Sequence, residues 1–207
     1  GLLTSDDLID RPRFEPGPID YGAAIQWKLT LLERAYQRFC KSKPKTLVQA
    51  FTQFQNKHQN WLPDFALFMA IKESLGGGAW SEWPEDFRKR NPQTIETFTS
   101  QNPERIERHI FRQFLFFRQW DEIRNYAHTR DINIIGDIPI FVAFDSADAW
   151  SHPELFYFDE NRKPTVVAGV PPDYFSPTGQ LWGNPLYKWE VHAETKYHWW
   201  IERLQST

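Results

Sequence analysis

The chain has 207 residues, of which 41% are hydrophobic and 25% charged, and its formal net charge is −3. This composition is typical of a globular protein rather than a disordered one. A slightly acidic chain lacks the basic surface that nucleic-acid binding needs. No apolar run is long enough to span a bilayer, and no signal peptide is visible. We therefore expect neither a nucleic-acid partner nor a membrane partner.

The chain contains one cysteine, Cys40, so that no intrachain disulfide can form. A lone cysteine is typical of a reducing compartment, and we expect a cytoplasmic protein. The setting of Cys40 near a predicted helix end favours packing as a small hydrophobic side chain over a catalytic role. The first residue is Gly1 rather than methionine, and we expect that it is not a natural start.

Most of the chain shows the apolar spacing of helices. Residues 1–19 are rich in proline and predict an irregular lead-in. Residues 20–130 predict a helical insertion subdomain, because apolar residues recur there at helical spacing. Helix starts and ends are indicated by Pro44, Gly76-Gly77-Gly78, Asn91-Pro92 and Asn102-Pro103.

Residues 131–207 predict a strand, a loop and a closing helix over 194–205. The strand is the β-branched run 132–142, whose near-continuous apolar pattern is typical of a sheet covered on both faces. A helix followed by such a strand indicates an α/β fold, although the chain as a whole is predominantly helical. Because a lone strand leaves its backbone groups unpaired, we predict pairing within this chain, with another copy or with further parts of a longer protein.

The first candidate site segment is residues 136–150. Asp137 lies toward the end of the predicted strand, and in a β/α barrel the polar residues at strand C-termini line the active site. The pattern is equally compatible with Asp137 only capping a turn after Gly136. Asp145 is placed to cap a short helix that runs through Trp150.

The second segment, residues 166–187, alternates hydrogen-bonding groups with flat rings, a combination that suits sugars. Its glycines and prolines predict a course without helix or strand, and long ordered loops are often functional. A disordered linker is the alternative, but the density of aromatic residues argues against it. A hairpin over residues 156–167 is predicted just before this segment. The candidate residues are Asp173, Tyr174, Phe175, Gln180, Trp182 and Asn184.

These two segments resemble the signature regions of the 4-α-glucanotransferases of glycoside hydrolase family 77. The resemblance extends over essentially the whole chain. It implies a segment of a (β/α)8 TIM-type barrel with a large helical insertion. It also implies a retaining transfer of 1,4-α-glucan segments, with maltooligosaccharides or α-1,4-glucans as partners and no cofactor or essential metal. Other similar stretches are Asp20-Tyr21, Trp27-Lys28-Leu29, residues 61–68, Glu82-Trp83-Pro84 and residues 114–120.

The resemblance also implies roles for individual residues. Asp137 matches an aspartate that supports the nucleophile and the sugar at the cleavage point. Tyr174 and Phe175 match the aromatic tip of a mobile loop above the donor glucan, and Asp173 neighbours that tip. Phe141 stands where relatives often have tyrosine.

Three further residues follow the tip of that loop. Gln180 and Trp182 match residues that contact sugars near the cleavage point, and Asn184 lies in the same turn. The family's nucleophile lies in an Arg-Ile-Asp-His-Phe-Arg-Gly pattern, which does not occur in this sequence. We therefore expect an internal segment that lacks the catalytic carboxylates and is inactive alone. A non-catalytic glucan-binding or purely structural module is the alternative.

Overall fold

The computed structural model of the protein describes residues 1–206 and is built mainly from helices, which confirms the predicted predominance of helix. The described part also contains a two-stranded antiparallel sheet. The helices before residue 130 are α1 (Tyr21–Ser42), α2 (Lys45–Lys57), α3 (Leu62–Ser74), α4 (Glu85–Arg88), α5 (Pro92–Gln101) and α6 (Pro103–His128). The later elements are α7 (Ala147–Ser151), β1 (Val167–Val170), β2 (Gln180–Pro185), α8 (Trp189–Glu194) and α9 (His198–Ser206).

The two Asn-Pro pairs begin helices as predicted, but only one asparagine caps its helix. The side chain of Asn91 accepts hydrogen bonds from the amides of Gln93 and Thr94 at 3.1 and 3.2 Å. The side chain of Asn102 instead donates to the carbonyl oxygen of Phe98 at 2.9 Å. The cap predicted at Asn102 is therefore wrong, because its side chain bonds to the end of α5 rather than to the first turn of α6.

Helix ends also fall where the sequence predicts them. α1 ends before Pro44, and the intervening Lys43 adopts a left-handed conformation with φ of 42°. α3 ends shortly before Gly76 and Gly77, which have φ of 81° and 85°. Glycine tolerates this region without the steric penalty of a side chain, which explains the stop.

Two clusters of buried aromatic side chains hold the helices together. The first joins α1, α2 and α6, and Phe111 lies within it with no exposed surface. Its ring centroid lies 4.9 Å from that of Phe39 and 5.5 Å from that of Tyr36. The second includes residues of α3 and α7 and contains the fully buried Trp80 and Trp150. Many of the aromatic residues therefore build the core rather than a binding surface.

Residues 132–142 do not form a strand in the described chain, and the prediction of a strand there is wrong for this chain. Within residues 1–206, no backbone-to-backbone hydrogen bond involves residues 133–143. Strand formation needs a neighbouring strand, and the described sheet contains only β1 and β2. Ile135 and Ile140 are accordingly 93% and 71% exposed.

Residues 166–187 contain a sheet, which corrects the expectation of a course without strands. β1 and β2 run antiparallel, with Val167 opposite Pro185 and Val170 opposite Gln180. A Cβ atom on Gly169 would lie 2.7 Å from the carbonyl oxygen of Gln180. Glycine therefore allows the strands to approach closely. Because glycine has a weak strand preference, the sequence pattern does not predict β1.

The closing helix predicted over 194–205 is observed as α9, which begins later, at His198, and α8 is a separate short helix that precedes it. Lys196 and Tyr197 separate them, with φ of 54° and 57°. Two consecutive left-handed residues cannot continue a right-handed helix, so the chain breaks there.

The hairpin predicted over 156–167 is observed as a narrow antiparallel turn. Phe158 and Pro164 form an isolated antiparallel bridge. The carboxylate of Asp159 accepts a hydrogen bond from the amide of Asn161 at 2.8 Å and so fixes the turn.

Candidate functional site

The candidate site lies where residues 139–142 meet β2 and the residues that follow it. The amide Nδ2 of Asn184 donates to the carbonyl oxygen of Val142 at 2.8 Å. The hydroxyl of Tyr187 donates to the carbonyl oxygen of Ile140 at 2.9 Å. These contacts bring together the two segments that the sequence singles out, although more than forty residues separate them in the chain.

Aromatic rings cover this junction. The ring of Phe141 stacks on Tyr187 with centroids 6.1 Å apart and planes at 8°, and its centroid lies 6.1 Å from that of Trp182 at 63°. Trp182 is 49% exposed, and its indole N–H donates to the amide oxygen of Gln180 at 3.0 Å. Trp182 therefore presents a half-exposed flat ring, and a neighbouring ring and an amide fix its orientation.

The loop between β1 and β2 is shaped by Asp173. Its carboxylate accepts hydrogen bonds from the amides of Phe175 and Ser176 at 2.9 and 2.8 Å. The Ser176 hydroxyl donates to the carbonyl oxygen of Gly179 at 2.7 Å and closes the loop from the other side. Tyr174 and Phe175 lie at the tip and are 96% and 86% exposed. The side chain of Asp173 thus forms a local turn that projects two aromatic rings into solvent.

Asp137 lies in the irregular stretch just before the junction. Its side chain is exposed, and within residues 1–206 its carboxylate makes neither a hydrogen bond nor an ion pair. The turn cap that was its structural alternative is therefore not observed. Its carboxylate is free to accept hydrogen bonds from a ligand.

Asp145 does not cap the short helix α7, so that this prediction is wrong. Its carboxylate forms an ion pair with Lys72 and accepts a hydrogen bond from the amide of Trp80 at 3.2 Å. Ser146 caps α7 instead, because its hydroxyl oxygen accepts a hydrogen bond from the amide of Ala149 at 3.2 Å. Asp145 therefore ties α3 to the region before α7.

Two residues of the junction were not identified as site residues from the sequence. Phe141 was noted only as a departure from relatives, and Tyr187 only as the end of a segment. Tyr187 is 3% exposed, and this burial raises the pKa of its hydroxyl. The hydroxyl therefore stays protonated at neutral pH and remains a donor. A tyrosine in an aromatic stretch gives no sequence signal that separates such a role from core packing.

The described residues contain neither a cluster of metal ligands nor a helix that could span a membrane. Across residues 1–206, no group of three His, Cys, Asp or Glu side chains has the spacing of a metal site. None of the helices in that range is both long enough and apolar enough to cross a bilayer.

The sequence matches the model of the 4-alpha-glucanotransferase family, glycoside hydrolase family 77, over residues 1–207. The chain belongs to this family. It is 46% identical to the 4-alpha-glucanotransferase of Thermus thermophilus over 198 residues. The matched region covers 96% of this chain and 40% of that protein. It is 43% identical over 207 residues to the enzyme of a Synechocystis strain, which covers the whole chain and 41% of that protein.

A solved structure gives the same result for the fold. The chain superposes on an amylomaltase from Streptococcus agalactiae in complex with acarbose with a TM-score of 0.92 and 37% identity. The superposition covers 99% of this chain and 41% of that one. The chain therefore spans about two fifths of the length of the relatives that it matches. The resemblance stated from the sequence is confirmed at the level of the family.

Proposed function

We propose that this chain is part of a 4-α-glucanotransferase that moves a 1,4-α-glucan segment to the 4-hydroxyl of another glucan or to glucose. The observation that carries the proposal is the junction at Trp182, where a half-exposed ring lies beside hydrogen-bonding groups in a chain of this family. Maltooligosaccharides or α-1,4-glucans are the substrates, and carboxylates and sugar hydroxyls suffice without a cofactor. The lone Cys40 supports a cytoplasmic location.

The residues at the junction fit the two faces of a sugar ring. The exposed face of Trp182 takes the apolar C–H face of a glucose unit, as amphipathic rings do at wet interfaces. The amide of Gln180 and the carboxylate of Asp137 exchange hydrogen bonds with the hydroxyl edge, and Asn184 holds the backbone beside them through its bond to Val142. Because the Asp137 carboxylate makes no hydrogen bond or ion pair within residues 1–206, it breaks no existing bond when it accepts one from a hydroxyl.

The tip of the β1–β2 loop completes the part of the proposed site that holds the donor glucan. Tyr174 and Phe175 are the most exposed aromatic residues of the described chain, and we propose that they fold over the glucan when it binds. Asp173 keeps the tip in shape through its bonds to the loop backbone. This role explains why two large aromatic side chains are exposed to solvent.

The reaction itself is proposed to use carboxylates outside these 207 residues. A retaining transfer needs a nucleophile and an acid/base about 5–5.5 Å apart. The family's nucleophile pattern is not present in this sequence. Asp137 then supports the nucleophile and holds the sugar at the cleavage point, and the 207-residue chain alone is inactive.

We also propose that the full-length protein closes a (β/α)8 barrel around residues 132–142. Residues 20–130 are then the helical insertion, and the exposed Ile135 and Ile140 are covered by other barrel elements. Hydrogen exchange tests this proposal. We expect slow exchange of the amides of 133–138 in the full-length protein and fast exchange in the 207-residue chain, where these amides have no backbone partner among residues 1–206. Equal, fast exchange in both would argue against a paired strand.

Incubation with maltotriose tests the activity. The full-length protein is expected to produce glucose and longer maltodextrins, and the 207-residue chain to produce neither. A full-length protein without products would overturn the proposed transfer. Products from the 207-residue chain would show that the catalytic carboxylates lie within it.

The second candidate function is a non-catalytic glucan-binding or purely structural module. It is favoured by the absence of the nucleophile pattern from this sequence. Acarbose binding measured by calorimetry separates the candidates, because a binding module holds acarbose without disproportionating maltotriose. A structural module does neither.

A further inference from the structure

The stretch that follows Asp137 is held by side chains rather than by a backbone ladder. In the described chain, no backbone-to-backbone hydrogen bond reaches residues 133–143. Three side-chain donors from the last part of the chain bind three of its carbonyl oxygens instead. The pairs are Arg203 Nη2 with Pro139 at 2.9 Å, Tyr187 Oη with Ile140 at 2.9 Å and Asn184 Nδ2 with Val142 at 2.8 Å.

The tyrosine donor is itself rigidly placed. Tyr187 is 3% exposed, and its ring lies 5.3 Å from that of Phe156 and 5.1 Å from that of Trp200. It also stacks on Phe141, which belongs to the stretch that it holds. The hydroxyl therefore cannot move away from the carbonyl oxygen without disturbing several packed rings.

The arginine donor is fixed in a similar way. The guanidinium of Arg203 lies 4.7 Å from the ring centroid of Trp199 and 5.1 Å from that of Trp200. Trp199 is anchored in turn, because its indole N–H donates to the carboxylate of Asp148 at 3.1 Å. A planar guanidinium stacked on rings keeps its fork direction, which a flexible ammonium would not do.

Such anchoring matters because residues 139–142 follow the segment that is proposed to pair as a barrel strand, and Pro139 has no N–H with which to continue a ladder. Fixing the backbone of each residue opposes folding by its conformational entropy. Bonds from rigid donors to successive carbonyls offset that entropy locally. The first held carbonyl, that of Pro139, lies two residues beyond Asp137. The three side-chain-to-carbonyl hydrogen bonds, together called the clamp, therefore act close enough to set the position of the Asp137 carboxylate.

We propose that Asn184, Tyr187 and Arg203 are positioning residues, which hold residues 139–142 and thereby set where Asp137 meets the glucan. This inference rests on the proposed function. None of the three needs to touch the reacting atoms. Their effect on a ligand passes through Asp137, which distinguishes them from side chains that only stabilise the fold.

A double-mutant cycle in the full-length protein tests the inference, with acarbose affinity by calorimetry as the readout. The variants are Tyr187→Phe, Asp137→Asn and the combination of both. Tyr187→Phe keeps the stacked ring and removes only the donor. We expect it to weaken acarbose binding about fivefold to tenfold in the wild-type background. In the Asp137→Asn background we expect a further loss below about twofold, because the two residues act as one unit.

A matched control is Tyr157→Phe, whose hydroxyl bonds to Glu190 at 3.2 Å and not to the clamped stretch. Its acarbose affinity should stay within about twofold of wild type. If Tyr187→Phe does not fold, Asn184→Leu replaces it in the cycle, since it removes the Nδ2 donor at nearly the same shape without adding a charge. The same lack of additivity is expected.

The outcomes separate the inference from the proposed function. Equal losses from Tyr187→Phe in both backgrounds would overturn the inference, because the tyrosine would then act independently of Asp137. A wild-type full-length protein that neither binds acarbose nor disproportionates maltotriose would overturn the proposed function instead. Loss in the wild-type background alone supports the clamp.

Discussion

Replacing Trp182 with alanine in the full-length protein removes the proposed stacking face for a glucose unit. Trp182 is 49% exposed, so that about 120 Å² of a tryptophan surface of about 250 Å² faces solvent. A sugar ring that covers half of this area removes about 60 Å² from water, which stabilises the complex by about 1.5 kcal/mol at about 25 cal/mol per Å². We therefore expect Trp182→Ala to raise the Kd for acarbose about tenfold.

The assay is isothermal titration of acarbose, because ten tryptophans would confuse a fluorescence signal. The matched control is Trp120→Ala, since Trp120 is also partly exposed but lies on α6, away from the rings of the junction. Its Kd should stay within about twofold of wild type. Unchanged binding in Trp182→Ala, or an equal loss in Trp120→Ala, would refute the stacking role.

Three further predictions concern the scaffold. Phe111→Ala should lower the free energy of unfolding by about 3–5 kcal/mol in urea denaturation, against less than about 1 kcal/mol for the 58% exposed Phe116 on the same helix. Arg38 holds the pKa of Asp7 below its ordinary value of 3.8, so that Asp7→Asn should lower the melting temperature at pH 7, with the difference shrinking as pH falls below about 4. Gly179→Ala should speed hydrogen exchange in β1 and β2, since its φ is 73° and a Cβ would lie 2.5 Å from a backbone oxygen.

Each of these has a clear contrary result. Similar unfolding free energies for the two phenylalanine variants would contradict the central position of Phe111. A melting-temperature difference for Asp7→Asn that persists unchanged at pH 2 would contradict the ion pair with Arg38. Hydrogen exchange in Gly179→Ala equal to that of wild type would contradict the close approach at this turn.

Elements with local causes were predictable from the sequence. α1 begins at Tyr21, directly after Asp20, whose side chain accepts a hydrogen bond from the Ala23 amide at 3.1 Å, and such a cap is visible in the residue order itself. The cap at Asn91 has the same origin. The failure at Asn102 shows the limit, because the side chain had a second partner at the end of α5 that spacing could not reveal.

Elements with distant causes were not predictable in the same way. The strand preference of residues 132–142 is real in the pattern, but a ladder forms only where a partner strand lies alongside. In the described chain that partner is absent. Conversely, β1 contains Gly169, whose low strand preference is overcome by the close approach to Gln180. Pairing geometry decided both cases, and local propensity decided neither.

The candidate site divides along the same line. Asp137 is predictable from its place near the end of an apolar run, and Gln180 and Trp182 from the alternation of polar groups and rings, but no pattern of spacing places them near one another. The contact between Phe141 and Tyr187 is not predictable, because it joins residues 46 positions apart. Sequence pattern and family resemblance therefore supply the identities and expected roles of the site residues, and only the structure supplies their neighbours.

The junction shows how an exposed site can rest on a rigid base. Tyr174, Phe175 and Trp182 face solvent, where they gain little of the burial that stabilises a fold. Tyr187, which stacks on Phe141, and the neighbouring Phe156 are almost completely buried. Because interiors pack densely, a buried ring transmits its position to whatever bonds to it. The proposed glucan site is thus held in place by side chains of the core, and changes in that core are expected to alter ligand affinity before they unfold the chain.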